Sequence, residues 1–112
     1  MPTLPAAFPY HGDPERRATI ERALRGVVDP EMALNIVDLG LVYGVDATPD
    51  RIAIDLTMTS AACPVAELII DDIRDALQRA LGPATRIDVA LCWDPPWTPE
   101  CMSASAREAM GW

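Results

Sequence analysis

The 112 residues suit one compact domain, and half of them are apolar, enough for a real core. Seventeen acidic residues against nine basic ones, all arginine, give a net charge of −8; the arginines form no stripe of the kind that displaces counterions from phosphates, which argues against a nucleic-acid partner. No apolar run approaches the roughly 20 residues of a membrane span, and the first ten residues lack the basic start and continuous apolar stretch of a signal peptide, so a cytoplasmic protein without a membrane partner is expected.

Residues 1–12 hold three prolines and no periodicity, and are expected to form a flexible arm ahead of a single domain over 13–112. Asp13-Pro14-Glu15 combines an N-cap residue, a first-turn proline and a first-turn acid. Ile20, Ala23, Leu24 and Val27 follow at helical spacing, so a helix is predicted over 14–25, with Gly26 at its end. Residues 28–40 carry apolar residues without a clean period, interrupted by acids, and read as a packed loop with a short helical turn. Val42–Ala47 reads as a strand, Thr48-Pro49-Asp50 as a turn, and Arg51–Met58 as a second, antiparallel strand. In the latter Ile52, Ile54, Leu56 and Met58 alternate with Ala53, Asp55 and Thr57, which implies a buried face and a wet face; Thr57 and Thr59 fall on the wet side.

A second amphipathic helix is predicted over 64–81, with Val65, Leu68, Ile69, Ile73, Ala76, Leu77, Ala80 and Leu81 on its apolar face. Gly82-Pro83 ends it. A third strand follows, with Ile87, Val89, Leu91 and Trp93 alternating with Asp88, Ala90 and Cys92. The proline-rich run Asp94–Glu100 is expected to cross the surface in extended form, anchored by Trp93 and Trp97. A short helix near Ser103–Met110 closes the chain. The order α-β-β-α-β predicts a two-layer α+β fold, a small three-stranded mixed sheet with helices packed on one face.

Chemistry concentrates at Cys63, which precedes Pro64 at the start of the second helix. Proline is favoured at the first helical position, so Cys63 is placed at the cap, beside backbone N–H groups that lack helical partners. Those groups and the positive helix end favour thiolate over thiol. Two readings stand side by side: a small apolar filler at a helix start, or a thiolate that binds a soft metal or a partner, aided by the hydroxyls of Thr57, Thr59 and Ser60. The acids Asp29, Glu31 and Asp38 likewise serve either as turn and capping groups or as carboxylates delivered near the thiol. Three cysteines without a C-x-x-C pair point to reduced thiols rather than a disulfide framework. Cys92 and Cys101 flank the proline-rich tail, and neither sits at a helix start. The one histidine, His11, lies in the arm, which leaves no Cys–His pair and no base for a thiol-dependent transferase.

Four motifs then occur in order: Val28-Asp29-Pro30-Glu31; Asn35-Ile36-Val37-Asp38-Leu39-Gly40-Leu41-Val42-Tyr43; Leu56-Thr57-Met58-Thr59 with Cys63-Pro64; and Trp93-Asp94-Pro95-Pro96-Trp97-Thr98-Pro99. Together they resemble a family of small iron–sulfur cluster assembly accessory proteins, the SufT-like and PaaD-like proteins with a MIP-eighteen-type domain, over residues 14–112. The resemblance implies an α+β fold, self-association into a homo-oligomer, and a non-enzymatic role in maturation or repair of iron–sulfur proteins. It implies partners among the assembly machinery and client apoproteins, and a transient iron–sulfur cluster or iron as the metal species. By the same resemblance Asp29, Glu31, Thr57, Thr59 and Cys63 line the site, with Asp38 nearby and Cys63 as the reactive thiol and metal ligand. Ala61-Ala62 replaces the glycine that often precedes the family's cysteine, and the cysteine-rich extension of PaaD-like members is absent before Trp112, which favours the SufT-like role. Clusters usually need four thiolate-type ligands and Cys63 supplies one, so transient handling is expected rather than storage. Two alternatives remain: an adaptor subunit of a larger complex that uses the tryptophan–proline tail, and a thiol-dependent transferase.

Overall fold

The computed structural model describes residues 8–59 and 66–111. Chain order is β1 (Tyr10–Gly12), α1 (Pro14–Arg25), β2 (Val28–Asp29), β3 (Leu34–Asn35), β4 (Val42–Ala47), β5 (Arg51–Leu56), α2 (Ala66–Leu81), β6 (Arg86–Leu91), a 3₁₀ turn (Pro99–Cys101) and α3 (Ala104–Met110). The α+β class is as expected, but the sheet is larger. Four strands run β1-β4-β5-β6, and β2 and β3 form a separate two-stranded ribbon.

The fourth strand comes from the expected arm. Tyr10–Gly12 pairs in parallel with Val45–Ala47, and Phe8 is buried in the core. Three residues flanked by proline are too few to show a period, which is why this strand leaves no sequence signal. Gly12 fits because its φ is positive and a Cβ there would collide with Ala47. The flexible reading of residues 8–12 is thereby corrected; residues 1–7 lie outside the described part.

Helix α1 has the predicted bounds. The Asp13 carboxylate accepts from Glu15 N at 2.9 Å, and Ile20 and Leu24 are fully buried. In α2 the buried stripe is Ile69, Ile73 and Leu77, at i, i+4 and i+8. Leu68 is about 100° around the helix from Ile69 and stays 51 % exposed, and Ala80 is also exposed, so neither belongs to the apolar face expected of it. The predicted first residues, 64 and 65, lie outside the described part. The two stripes close on Ile52, Ile54, Leu56 and Ile87. Each such fully buried aliphatic side chain contributes about 1.5–3 kcal/mol.

Strand β5 pairs antiparallel with β4 and parallel with β6, whose order β5-α2-β6 makes a crossover unit. The third predicted strand ends early. Leu91 and Trp93 are 41 % and 45 % exposed, because β6 is the sheet edge and nothing described covers its far end.

The segment read as a packed loop is a ribbon and a tight turn. Asp29 and Leu34 close the ribbon, with Ala33 N donating to Asp29 O at 2.8 Å, and Ala33 takes a positive φ of 58° to make the turn. Residues 36–41 then wind back, Leu41 N bonding Ile36 O at 3.0 Å. Gly40 has φ 75°, and a Cβ there would strike the Cys101 backbone, so glycine is what lets the tail press on this turn. Three bonds hold the tail down. Trp97 Nε1 donates to Leu39 O at 2.7 Å, Tyr43 Oη to Pro95 O at 2.7 Å, and Ser103 N to Asp38 O at 2.7 Å. Trp97 is thus the anchor expected of it, while Trp93 is not. Ser103 caps α3 through a bond from Ala106 N, and Gly111 ends it in the left-handed conformation.

Candidate functional site

The ends of the ribbon and of β5 meet on either side of the 36–41 turn. Ile36 N donates to Val27 O at 3.0 Å on one side, and Thr57 N to Leu41 O at 2.8 Å on the other. This turn is thereby bonded to the residue two before Asp29 and to Thr57 itself, and those two polar residues are 28 apart in sequence. Both side chains are 0 % exposed, the only buried polar or charged residues among those described.

Each carries one oxygen without a partner among the described residues. Asp29 Oδ1 accepts from Glu31 N at 2.9 Å, but Oδ2 has no partner among the described residues. Thr57 Oγ1 has none either. The Tyr43 phenol lies near it, yet its proton goes to the Pro95 carbonyl and the geometry makes no bond to Thr57. An unmet buried polar group costs about 1–3 kcal/mol. Two such groups in a domain this small are unusual, because buried polar atoms are nearly always paired. Thr57 was expected on the wet face of its strand. It does follow the alternation of Asp55, but its strand end is bonded to Leu41 of the turn and the side chain is buried instead.

The other expected site residues divide. Glu31 is exposed, and Thr59 is half-buried. Asp38 is committed to structure: Oδ1 accepts from Arg25 Nη1 at 2.9 Å and Oδ2 from Asn35 Nδ2 at 2.7 Å, while Asn35 Oδ1 receives Asp38 N. Burial pushes its acidity weaker, but the bonds from Asn35 and Arg25 outweigh that and hold its carboxyl below the usual aspartate range. Asp38 joins α1, the turn and the tail, and acts as the hinge pin of that corner rather than as an open ligand. Cys63, with Ser60, lies outside the described residues. It follows Thr59 by four positions and precedes Ala66, the first described residue of α2.

A second set of chemical groups escaped the sequence reading. Cys92, Cys101, Tyr43, Asp55 and Asp94 line a cavity of about 520 Å³, with Phe8, Pro9, Gly40, Val42 and Pro95. The signal available was alternation, which puts Cys92 on the Asp55 side of the sheet. Nothing in the spacing foretold that the tail would return Cys101 to the same place. Among the described residues, no three His, Cys, Asp or Glu side chains converge as a metal-binding group.

Comparison with known proteins settles the lineage. The family model for iron–sulfur cluster assembly proteins matches residues 17–89. The chain belongs to that family. It is 43 % identical over 96 residues to the Fe-S protein maturation auxiliary factor YitW of Bacillus subtilis, covering 85 % of this chain and 93 % of that one. It is 38 % identical over 86 residues to the Fe-S protein maturation auxiliary factor SufT of Staphylococcus aureus, covering 76 % and 97 %. In structure it is similar to a domain of unknown function, DUF59, from Bacillus anthracis, with a TM-score of 0.79 and 39 % identity over 84 % of this chain and 90 % of that one. The order-of-motifs resemblance is thus borne out at the level of family.

Proposed function

We propose that this chain is an auxiliary factor in the assembly or maturation of iron–sulfur proteins, working by transient contact with iron, a cluster or a client rather than by catalysing a reaction. Family membership and the names of two relatives matched over most of their length support the role. The observation that carries the site is the pair of buried oxygens without partners, Asp29 Oδ2 and Thr57 Oγ1. A fold that keeps two such groups forgoes stability, and a polar ligand that reaches them restores the missing bonds.

In this reading Cys63 supplies the thiolate, at the segment joining Thr59 to α2. Thr57 and Asp29 supply the further polar groups for the same ligand. Glu31 contributes its backbone N–H to fix the Asp29 carboxylate. One thiolate is short of the four that clusters usually take, so the remaining ligands come from a client, an assembly protein or a second copy of this chain. Such sharing makes the contact short-lived, as delivery requires. It also gives a homo-oligomer a chemical purpose.

The test is a client-maturation assay: the rate at which an apo-ferredoxin gains its cluster from iron and sulfide, with and without this chain. The parent chain accelerates the gain, and Cys63→Ser removes the acceleration. An equal effect from both would leave Cys63 without a role.

A further inference from the structure

The two edges of the four-stranded sheet are finished differently. At one edge β1 has three residues, follows Pro9 and ends at Gly12, the short, interrupted form that keeps an edge from pairing further. At the other edge β6 runs for six residues, Arg86–Leu91, in unbroken register with β5 from Arg51/Arg86 to Leu56/Leu91. It holds no proline or lysine, the residues that commonly blunt an edge. No described strand pairs with its outer side.

Hydrogen bonding fixes which backbone groups point outward. Arg86 N donates to Asp50 O at 3.1 Å and Cys92 N to Leu56 O at 2.7 Å, so the even-numbered residues of this strand turn their backbone toward β5. Ile87, Val89 and Leu91 therefore turn their N–H and C=O groups away from it, along one open edge. The side chains add an apolar strip there: Leu91 and Trp93 are exposed and Val89 is half-buried. An outward ladder bordered by exposed apolar side chains is a surface for strand addition.

The edge is complementary to itself in one register. When two antiparallel strands pair about a two-fold axis, facing residues lie on the same side of the sheet, and like charges face to face are unfavourable. An axis through Asp88 would set that carboxylate against its own copy, and one through Leu91 would set Asp88 against Asp94. An axis through Ile87 would leave Leu91 facing Pro83, outside the strand. One through Val89 would put the two Asp88 side chains on a diagonal and give Arg86 no facing charge. An axis through Ala90 has none of these faults. Leu91 then faces Val89 of the second copy, the small Ala90 faces its own copy, and Arg86 comes opposite Asp94, a charge of the other sign. We propose that β6 pairs antiparallel with β6 of a second copy of this chain, about an axis at Ala90, and joins the two sheets into one. The proposal does not rest on the role given to Cys63.

Sedimentation equilibrium of the full chain in reducing buffer reads the assembly, and a dimer that dissociates on dilution is expected. Val89→Pro removes an outward N–H and leaves the bonds to β5 intact; Leu91→Asp places two carboxylates at the joint. Each should raise the dissociation constant at least about tenfold, with thermal melts confirming that the variants fold. A second measurement reads the register. In a chain carrying Cys63→Ser, Cys92→Ser and Cys101→Ser, Ala90→Cys brings two thiols to a pair without mutual hydrogen bonds, within the Cα separation a disulfide spans. Oxidised glutathione, which takes up the two electrons and two protons, should link that dimer and leave a Val89→Cys chain unlinked. A parent chain that stays monomeric at every concentration, or that pairs through this edge only with apo-ferredoxin, overturns the proposal. So does a dimer undiminished in both Val89→Pro and Leu91→Asp, or one linked at Val89→Cys and not at Ala90→Cys. A Cys63→Ser chain that fails in cluster delivery but still dimerises separates this surface from the function proposed above.

Discussion

Replacing Thr57 by valine tests the reasoning about orphaned polar groups most sharply. Valine keeps the volume and the β-branched shape of threonine, so the substitution removes a hydroxyl and opens no cavity. Thr57 is 0 % exposed and its Oγ1 bonds nothing among the described residues. Folding therefore strips water from the hydroxyl at a cost of about 1–3 kcal/mol without return. Thr57→Val should stabilise the metal-free protein by about 1–2 kcal/mol, which at this chain length is a rise of roughly 4–8 °C in Tm. Thr57→Ala is the control: it removes the same hydroxyl but also a methyl group, and the cavity left behind cancels the gain. Thermal unfolding in chelator-treated buffer reads both. A fall of about 1 kcal/mol or more for Thr57→Val would show that the hydroxyl is bonded in the folded state and would refute the argument. Stabilisation combined with loss of client maturation is the pattern expected of a residue kept for function at a cost in stability.

Three further outcomes follow from the corner that holds the tail. Asp38→Ala should cost about 1–2 kcal/mol at neutral pH, since the bonds from Arg25 and Asn35 are charge-assisted but partly open to water. The folded-state acidity of Asp38 is stronger than in the unfolded chain, so its contribution is present above the ordinary aspartate pKa of about 4 and lost as pH falls through the lower folded value; melts from pH 7 to pH 3 should show a steeper acid decline in the parent than in the variant. Trp97→Phe should cost about 1 kcal/mol through the lost bond to Leu39, and Trp97→Ala about 2–3 kcal/mol through lost packing as well, measured by urea unfolding. Gly40→Ala should cost about 3 kcal/mol or more, because a left-handed backbone and a collision with Cys101 act together; a loss under 1 kcal/mol would mean that the tail is not pressed on the turn.

Much of this fold is legible because its signals are local. Asp13-Pro14-Glu15 marks the start of α1 within one turn, and the alternation of Ile52, Ile54 and Leu56 marks β5 without reference to any other segment. The failures are all tertiary. Tyr10–Gly12 is a strand only because β4 offers an edge to it. Leu91 has a strand's pattern but lacks a covering layer at the edge of the sheet. Thr57 reads as wet by alternation and is dry at a strand end that is bonded to Leu41 of the 36–41 turn.

The candidate site shows the same division. That Asp29, Asp38 and Thr57 matter could be taken from the motifs, but their different states could not. Asp38 is spent on Arg25 and Asn35, whereas Asp29 and Thr57 each keep an oxygen without a partner among the described residues, and only coordinates distinguish these states. That Cys92 and Cys101 line one groove depends on how the prolines turn the chain, which no spacing rule encodes.

In the proposed function, iron is held jointly by the Cys63 sulfur and the unpaired oxygens of Asp29 and Thr57. Iron content after anaerobic reconstitution with iron and sulfide, compared among the parent, Cys63→Ser, Asp29→Asn and Thr57→Val chains, measures that directly. Iron retained by the parent and lost in Cys63→Ser, with reduced retention in the other two, is the predicted result. Equal iron in all four chains would contradict it.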